Sequence, residues 1–212
     1  MAEWQKVIED HKGRSWISPV SRLLKQAKLK CANACGEDID FNPKRGLDKR
    51  QVMDLLSCNW IQRSQHLFIT GSTGSGKTWL ACAFGNEAAR KGLSVTYKRL
   101  PRLLEELEVA NADGSLPAMR TQLARSKLLI LDDWGVAPIG VRGRQDLLEV
   151  IDDRVPGSSV LITSQMPPAK WHEYLGEPTI ADAILDRIMH GAHKIALAGE
   201  SMRRAGTAAE KK

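Results

Sequence analysis

The sequence predicts an α/β fold in which a mostly parallel five-stranded sheet is flanked by helices. Three observations lead to this prediction. Short apolar segments alternate with segments of helical periodicity, a glycine-rich turn joins one strand to a helix, and another strand ends in two aspartates. Strands that alternate with helices are typical of parallel sheets with both faces covered. At 212 residues the chain is long enough for one such core and a short appendage.

The chain before the sheet predicts helices that accompany the core. Residues 1–36 form a short basic N-terminal segment, in which residues 21–30 have the pattern of an amphipathic helix. That helix either covers the core with its charges in solvent or contacts DNA or a partner protein. Residues 48–61 predict a second helix with one apolar face. We expect residues 37–205 to form the core and residues 206–212 to form a basic C-terminal tail.

The strands and helices of the sheet follow in a regular order. Strands are predicted at residues 66–70, 94–98, 128–133, 159–163 and 193–197. Helices are predicted between them at residues 77–91, 101–110, 116–126 and 144–154, the first closed by a glycine and the second opened by a proline. Two helices therefore separate the second strand from the third.

The glycine-rich turn has the pattern of a phosphate-binding loop. It reads Gly-Ser-Thr-Gly-Ser-Gly-Lys-Thr and matches G-x-x-x-x-G-K-[ST], with a strand before it and a helix starting at the lysine. Glycines let backbone N–H groups and the positive end of the helix face a phosphate, the lysine adds charge, and the threonine hydroxyl suits Mg²⁺. The sequence thus predicts a P-loop NTPase that binds Mg·ATP through Gly71, Ser72, Thr73, Gly74, Ser75, Gly76, Lys77 and Thr78.

Polar side chains end the third and fourth predicted strands. Asp132 ends an apolar strand at the edge where parallel sheets place their ligands, and we expect it to be the metal-side carboxylate. Asp133 points differently and is expected to polarise the attacking water, or else to be a helix-capping or solvent-facing acid. Gln165, which follows the strand at residues 159–163, is a candidate sensor of the γ-phosphate or part of a plain turn.

Composition limits the environment and the partners. The net charge is +6 and the isoelectric point is near 9.2, which permits a polyanionic partner. The four cysteines contain no C-x-x-C pair, so a reducing cytoplasm is expected. No apolar run approaches the roughly 20 residues needed to cross a bilayer, so no membrane association is expected.

Several motifs together resemble one family, the IstB-like ATP-binding proteins, which are AAA+ ATPase helpers of transposition related to DnaC-type helicase loaders. The resemblance covers about residues 37–205 and includes the P-loop, Leu-Leu-Ile-Leu-Asp-Asp-Trp-Gly ending at residue 135, and Ala-Asp-Ala-Ile-Leu-Asp-Arg ending at residue 187. It also includes Thr-Ser-Gln ending at residue 165 and Gly-Glu-Ser-Met-Arg ending at residue 203. These later motifs are more specific than the P-loop, which many ATPases share.

The resemblance implies an AAA+ core with sheet order 5-1-4-3-2, no sizeable C-terminal lid, and assembly into homo-oligomers with shared ATP sites. Arg187 matches the arginine finger offered to a neighbour's ATP, although taken alone Asp186-Arg187 in an amphipathic helix is more often a local surface ion pair. Arg203 matches a second sensor arginine or belongs to a basic tail. The helices between the second and third strands resemble a DNA-binding wedge whose phosphate contacts would be Lys98, Arg99, Arg102, Arg120 and Arg125.

These features favour an ATP-hydrolysing, DNA-binding factor that assists a transposase. The first alternative is a DnaC-like loader of a replicative helicase. A second is a truncated copy that binds ATP without hydrolysing it, because the P-loop begins at residue 71 and the region before it is shorter than in typical family members. A third, a small-molecule kinase, is disfavoured because paired aspartates suit water as the nucleophile.

Overall fold

Five parallel strands form the sheet at the centre of the molecule. The computed structural model describes residues 8–9, 15–16, 19–155 and 157–199. The strand order is β2-β3-β4-β1-β5, and every pairing among these strands is parallel. This confirms the predicted sheet and its order. The strands are β1 (Leu67–Gly71), β2 (Val95–Arg99), β3 (Leu128–Trp134), β4 (Ser159–Ser164) and β5 (His193–Leu197).

Nine α-helices lie in the described part of the chain, accompanied by a short antiparallel pair at Ile8–Glu9 and Ser15–Trp16. The first four helices are α1 (Pro19–Ala27), α2 (Lys49–Leu56), α3 (Asn59–Gln62) and α4 (Lys77–Arg90). The remaining helices are α5 (Leu100–Asp113), α6 (Leu116–Ala124), α7 (Val141–Asp152), α8 (Trp171–Leu175) and α9 (Pro178–Met189).

Alternate residues of the three central strands, β3, β4 and β1, supply two separate apolar layers. Leu67 and Ile69 of β1 pack in one cluster with α2 and α4, whereas Phe68 belongs to the other cluster, with α5, α7, α8 and α9. Because successive strand side chains point to opposite faces, a strand covered on both sides must be apolar throughout. The apolar runs of the sequence are explained by this burial.

Several helices differ in their bounds from the predictions, for example Val141–Asp152 against residues 144–154, and two of the differences have a clear cause. The expected single helix at residues 48–61 is divided into α2 and α3, because Cys58 adopts a left-handed backbone conformation with φ of 63°. At the break, the Leu55 carbonyl accepts the Cys58 N–H at 3.1 Å and the indole N–H of Trp60 at 3.0 Å. The helix expected at residues 101–110 extends to Asp113, where Gly114 with φ of 80° ends it.

The N-terminal helix α1 packs against α4 and β2, and Ala27 is fully buried there. This contact agrees with one of the two interpretations of the basic helix, namely that its apolar face covers the core. The division into a core and two terminal segments stays a prediction.

Candidate functional site

The P-loop lies at the carboxyl edge of the sheet, between β1 and α4. Gly76 precedes α4 with φ of 92°, a left-handed conformation that favours glycine. A Cβ atom on Gly71 would lie 2.7 Å from the carbonyl oxygen of Leu197, so the loop approaches the end of β5 too closely for a side chain. Glycine is therefore favoured at both ends of the loop, as the tight turn predicted from the sequence requires.

Lys77 is folded back onto its own loop. Its ammonium donates to the carbonyls of Gly71 at 2.9 Å and Ser72 at 2.8 Å. Burial lowers the pKa of Lys77, an effect opposed by the nearby carboxylates of Asp132 and Asp133. A buried cation held by loop carbonyls can exchange them for phosphate oxygens without leaving the site.

Asp132 is fully buried at the end of β3 and accepts hydrogen bonds from three hydroxyl groups. Thr78 donates to its two oxygens at 2.9 and 3.1 Å, Tyr97 donates at 2.6 Å, and Thr163 donates at 2.5 Å. Burial, followed by the hydrogen bond to Asp132, raises the pKa of Tyr97. The Thr78–Asp132 contact joins the P-loop helix to β3 with the hard oxygen donors that Mg²⁺ prefers.

Asp133 differs from its neighbour in backbone and environment. It has φ of 64°, unusual for a residue other than glycine, and the pairing of β3 with β4 is irregular between Leu131 and Trp134. Its N–H donates to the Thr163 hydroxyl at 3.2 Å, and its carboxylate binds the Arg99 guanidinium at 2.8 Å. Backbone irregularity turns this carboxylate away from the sheet and into the cleft, where an arginine holds it.

Gln165 lines the same cleft as the P-loop and contacts the loop directly. The Thr73 hydroxyl donates to the side-chain carbonyl of Gln165 at 2.8 Å. The cleft has a volume of about 560 Å³ and is closed on its other side by the chain between α1 and α2. Its walls include Lys30, Cys31, Asp38, Asp40, Arg45, Thr73, Gly74, Gly76, Lys77, Thr78, Trp79, Arg99, Asp133 and Gln165.

The predicted arginine finger lies at the opposite edge of the sheet. Arg187, near the end of α9, donates to the Ala183 carbonyl at 2.7 Å and pairs with Asp152. Asp152 is the last residue of α7, which precedes β4, and α9 precedes β5, so this pair lies at the edge where the strands begin, whereas the P-loop follows β1. Five strand residues span about 16 Å, so Arg187 is distant from the P-loop of its own chain.

Arg203 lies outside the described residues. The chain that leads to it reaches the P-loop, because the Ser72 hydroxyl donates to the Gly199 carbonyl at 3.2 Å.

Most of the predicted DNA-contacting cations are paired with acids of the same chain. Lys98 and Arg102 both bind Glu106, and Arg99 binds Asp133. Arg120 binds Glu149 at 2.7 Å and Asp153 at 2.8 Å. Arg125 is exposed. The side chains stay candidates for phosphate contact, but most must first exchange a carboxylate for a phosphate.

Sequence reasoning missed the roles of two residues of β2. Tyr97 contacts Asp132, and Arg99, expected to face DNA, instead contacts Asp133. Both contacts depend on which strand lies beside β3, and no local pattern in the sequence supplies that information.

The family model for IstB-like ATP-binding proteins matches residues 4–209. The chain belongs to this family. It is 45% identical over 207 residues to an insertion-sequence ATP-binding protein, y4pL, of Sinorhizobium fredii, a match that covers 96% of the chain and 83% of that protein. It is 52% identical over 148 residues to the ATP-binding protein of insertion sequence IS1162 from Pseudomonas fluorescens, which covers 70% of the chain and 64% of that protein.

Solved structures of other proteins share the fold of this IstB-like protein. DnaI has a TM-score of 0.67 with 20% identity and covers 84% of the chain and 93% of DnaI. The DnaC helicase loader has a TM-score of 0.61 with 19% identity and covers 78% of the chain and 97% of that protein. The chain is therefore an ATP-binding protein with the AAA+ fold. In the described part of the chain, no helix is both long and apolar enough to cross a membrane.

Proposed function

We propose that this IstB-like protein hydrolyses ATP at the carboxyl edge of its sheet and acts on DNA as an ATP-controlled assembly factor for a transposase. One observation carries the proposal of hydrolysis. The Asp133 carboxylate lines the same cleft as Lys77, Thr78 and Gln165, so an acid suited to polarising water faces the phosphate-binding loop.

The P-loop residues 71–78 would bind the phosphates of ATP through backbone N–H groups and Lys77. The donor set also fits Mg²⁺, because Thr78 and the buried Asp132 are already joined by hydrogen bonds. These two residues would hold the ion, partly through water. When bound, Mg²⁺ neutralises charge on the phosphate oxygens.

Asp133 would orient water and accept its proton as the γ-phosphoryl group is transferred. Gln165, held by Thr73, would present its amide to the γ-phosphate. Arg99 neutralises Asp133 and precedes α5 directly, so a polyanion that draws Arg99 toward itself would release the carboxylate. This arrangement supports hydrolysis that is stimulated by assembly on DNA.

The two remaining arginines would complete the site from elsewhere. Arg187, at the amino edge and away from its own P-loop, would serve a neighbouring subunit's ATP in a homo-oligomer with shared sites. Arg203 would contact the phosphates from the chain that follows β5, since Gly199 already touches the P-loop.

DNA would be bound mainly through its phosphate backbone. The ion pairs of Lys98, Arg102 and Arg120 are partly exposed, surface pairs are individually weak, about 0–1 kcal/mol, and a phosphate can replace the carboxylate in each. Arg125 adds an exposed cation to this group.

The names of the relatives favour a transposase as partner, because they describe ATP-binding proteins of insertion sequences. The fold likeness to DnaI and the DnaC helicase loader keeps helicase loading as the alternative. Capture of the purified protein on DNA with either a transposase from the same insertion sequence or a replicative helicase separates the two.

The test of hydrolysis is phosphate release by the purified protein, with and without DNA, in wild type and Lys77→Ala. We expect release in wild type and none in the variant, which loses tight ATP binding because the charge nearest the β- and γ-phosphates is gone. Wild-type protein that binds ATP but releases no phosphate on DNA would support a copy that binds without hydrolysing. Equal ATP affinity of the two proteins by calorimetry would remove the P-loop assignment.

A further inference from the structure

The environment of Asp132 is unusual for a buried carboxylate. It is fully buried, and no cation among the described residues lies within ion-pair distance of it. Burying such a charge is costly unless it is hydrogen-bonded, and here three hydroxyl donors replace a cationic partner. Thr78 and Thr163 belong to the P-loop helix and to β4, whereas the third donor, Tyr97, comes from β2.

Tyr97 reaches Asp132 diagonally across two paired strands. In the register of β2 and β3, Tyr97 is opposite Ile130, and Arg99 is opposite Asp132. Tyr97 and Asp132 therefore lie on one face of the sheet, two residues apart, a spacing that long aromatic side chains can cover. Tyr97 also packs against the cluster formed by Ala34 and by Cys82 and Ala83 of α4, so the helix that begins at the P-loop contributes to its position.

The hydroxyl of Tyr97 holds one Asp132 oxygen from the core side. It donates to Oδ2, while Thr163 donates to Oδ1. Together these two donors set the plane of the carboxylate. Thr78, which contacts both oxygens and also lines the cleft, is the donor on the ligand side.

We propose that Tyr97 is a positioning residue for the metal site: its hydroxyl fixes the Asp132 carboxylate in the orientation that holds Mg²⁺ beside ATP. The proposal rests on the proposed function, in which Asp132 is the metal-side acid. It assigns to β2 a role that the sequence motifs of the P-loop and β3 do not contain. A tyrosine whose hydroxyl merely found a buried acceptor would have no effect on metal affinity.

The experiment compares two single-oxygen deletions. The chain contains only two tyrosines, Tyr97 and Tyr174, and the Tyr174 hydroxyl donates to the Ala137 carbonyl at 2.8 Å, away from Asp132. Tyr97→Phe and Tyr174→Phe each remove one partly buried hydrogen bond. Mn²⁺, followed by electron paramagnetic resonance, is titrated into each full-length protein in the presence of a non-hydrolysable ATP analogue. Binding of the analogue without metal is measured in parallel by calorimetry.

We expect Tyr97→Phe to weaken Mn²⁺ binding by about tenfold or more, the usual effect of removing a group that orients a metal ligand. Its affinity for the analogue without metal should be unchanged, and Tyr174→Phe should match wild type in both measurements. Wild-type Mn²⁺ affinity in Tyr97→Phe, or an equal loss in both variants, overturns the proposal. Wild-type protein that binds the analogue without any Mn²⁺ dependence overturns the metal site of the proposed function as well.

Discussion

The two edges of the sheet both bury charged side chains, but they hold them with different kinds of partner. At the carboxyl edge, Asp132 is bound by hydroxyl groups, and Lys77 is bound by carbonyls of a loop beside a cleft. At the amino edge, Arg154 is 2% exposed and donates to the backbone carbonyls of Leu123, Ser126 and Ser159 and to the Ser126 hydroxyl.

This difference distinguishes the residues with a proposed chemical role from those that stabilise the fold. Burial lowers the pKa of Arg154 to about 10 and that of His66 at the same edge to about 4, so shifted groups occur far from the cleft. Shifted pKa values therefore do not identify the reacting site here. At the carboxyl edge, a ligand can replace the loop carbonyls that bind Lys77. At the amino edge, the carbonyls that bind Arg154 are fixed by strands and turns.

Arg187 is the expected exception at the amino edge, because its partner Asp152 is partly exposed and can be exchanged. Arg187→Ala should bind ATP normally yet lose hydrolysis by about 10³ to 10⁵, the effect of an arginine supplied to a neighbour's transition state. An exposed ion pair alone would account for about 1 kcal/mol or less. Phosphate release per active site under saturating ATP measures the effect.

Mixing tests whether the site is shared. Arg187→Ala and Lys77→Ala proteins, each inactive alone, should recover part of the activity together, because a mixed assembly can place an intact arginine beside an intact P-loop. If light scattering shows that the variants co-assemble while hydrolysis stays at the single-variant level at every ratio, Arg187 belongs with the architectural residues of its edge.

Arg154→Met should affect stability and leave the site intact. The variant removes the Arg154 guanidinium from three buried backbone carbonyls, of which that of Leu123 keeps the Ser126 hydroxyl, and we expect a loss of about 3–5 kcal/mol in the free energy of unfolding. Denaturant titration measures it, with Arg125→Met as the control because Arg125 is an exposed cation beside the same edge. Unchanged midpoints, or a loss of ATP affinity in protein that remains folded, would show that the contrast between the edges is misplaced.

Arg99→Ala should have the smallest effect. Removing the guanidinium that binds Asp133 frees the carboxylate, so hydrolysis without DNA should rise by up to about fivefold, the value of an exposed ion pair, and stimulation by DNA should shrink. Arg102→Ala is the matched control, since Arg102 pairs with Glu106 instead. Equal DNA-free rates in wild type and Arg99→Ala would leave Arg99 without a role in holding Asp133.

The sequence predicted what depends on neighbouring residues. Residues 71–78 form the expected loop, and the five expected strands are present, because a P-loop and a strand with continuous or alternating apolar residues each have a local pattern. The order of the sheet came from the family resemblance and not from those patterns. The roles of the site residues stay predictions; in the structure Thr78 contacts Asp132, and Gln165 contacts Thr73 of the P-loop.

The remaining features depend on residues far apart in the chain. The contacts of Tyr97 and Arg99 with the two aspartates depend on the register of β2 against β3. Two helices, α5 and α6, lie between these strands in the sequence. The break at Cys58 depends on a left-handed residue that carries no glycine signal. The pairing of Arg120 with Glu149 and Asp153 likewise joins α6 to the end of α7.

The most direct test of hydrolysis at the carboxyl edge is single-turnover phosphate release by Asp133→Asn on DNA, at an ATP concentration that saturates both this variant and wild type. The amide preserves the shape of the side chain but cannot accept a proton from water, so we predict a rate lower by about 10²–10⁴ with nearly unchanged ATP affinity. A rate equal to wild type would contradict the account, because the acid that faces the P-loop would then not act on the water.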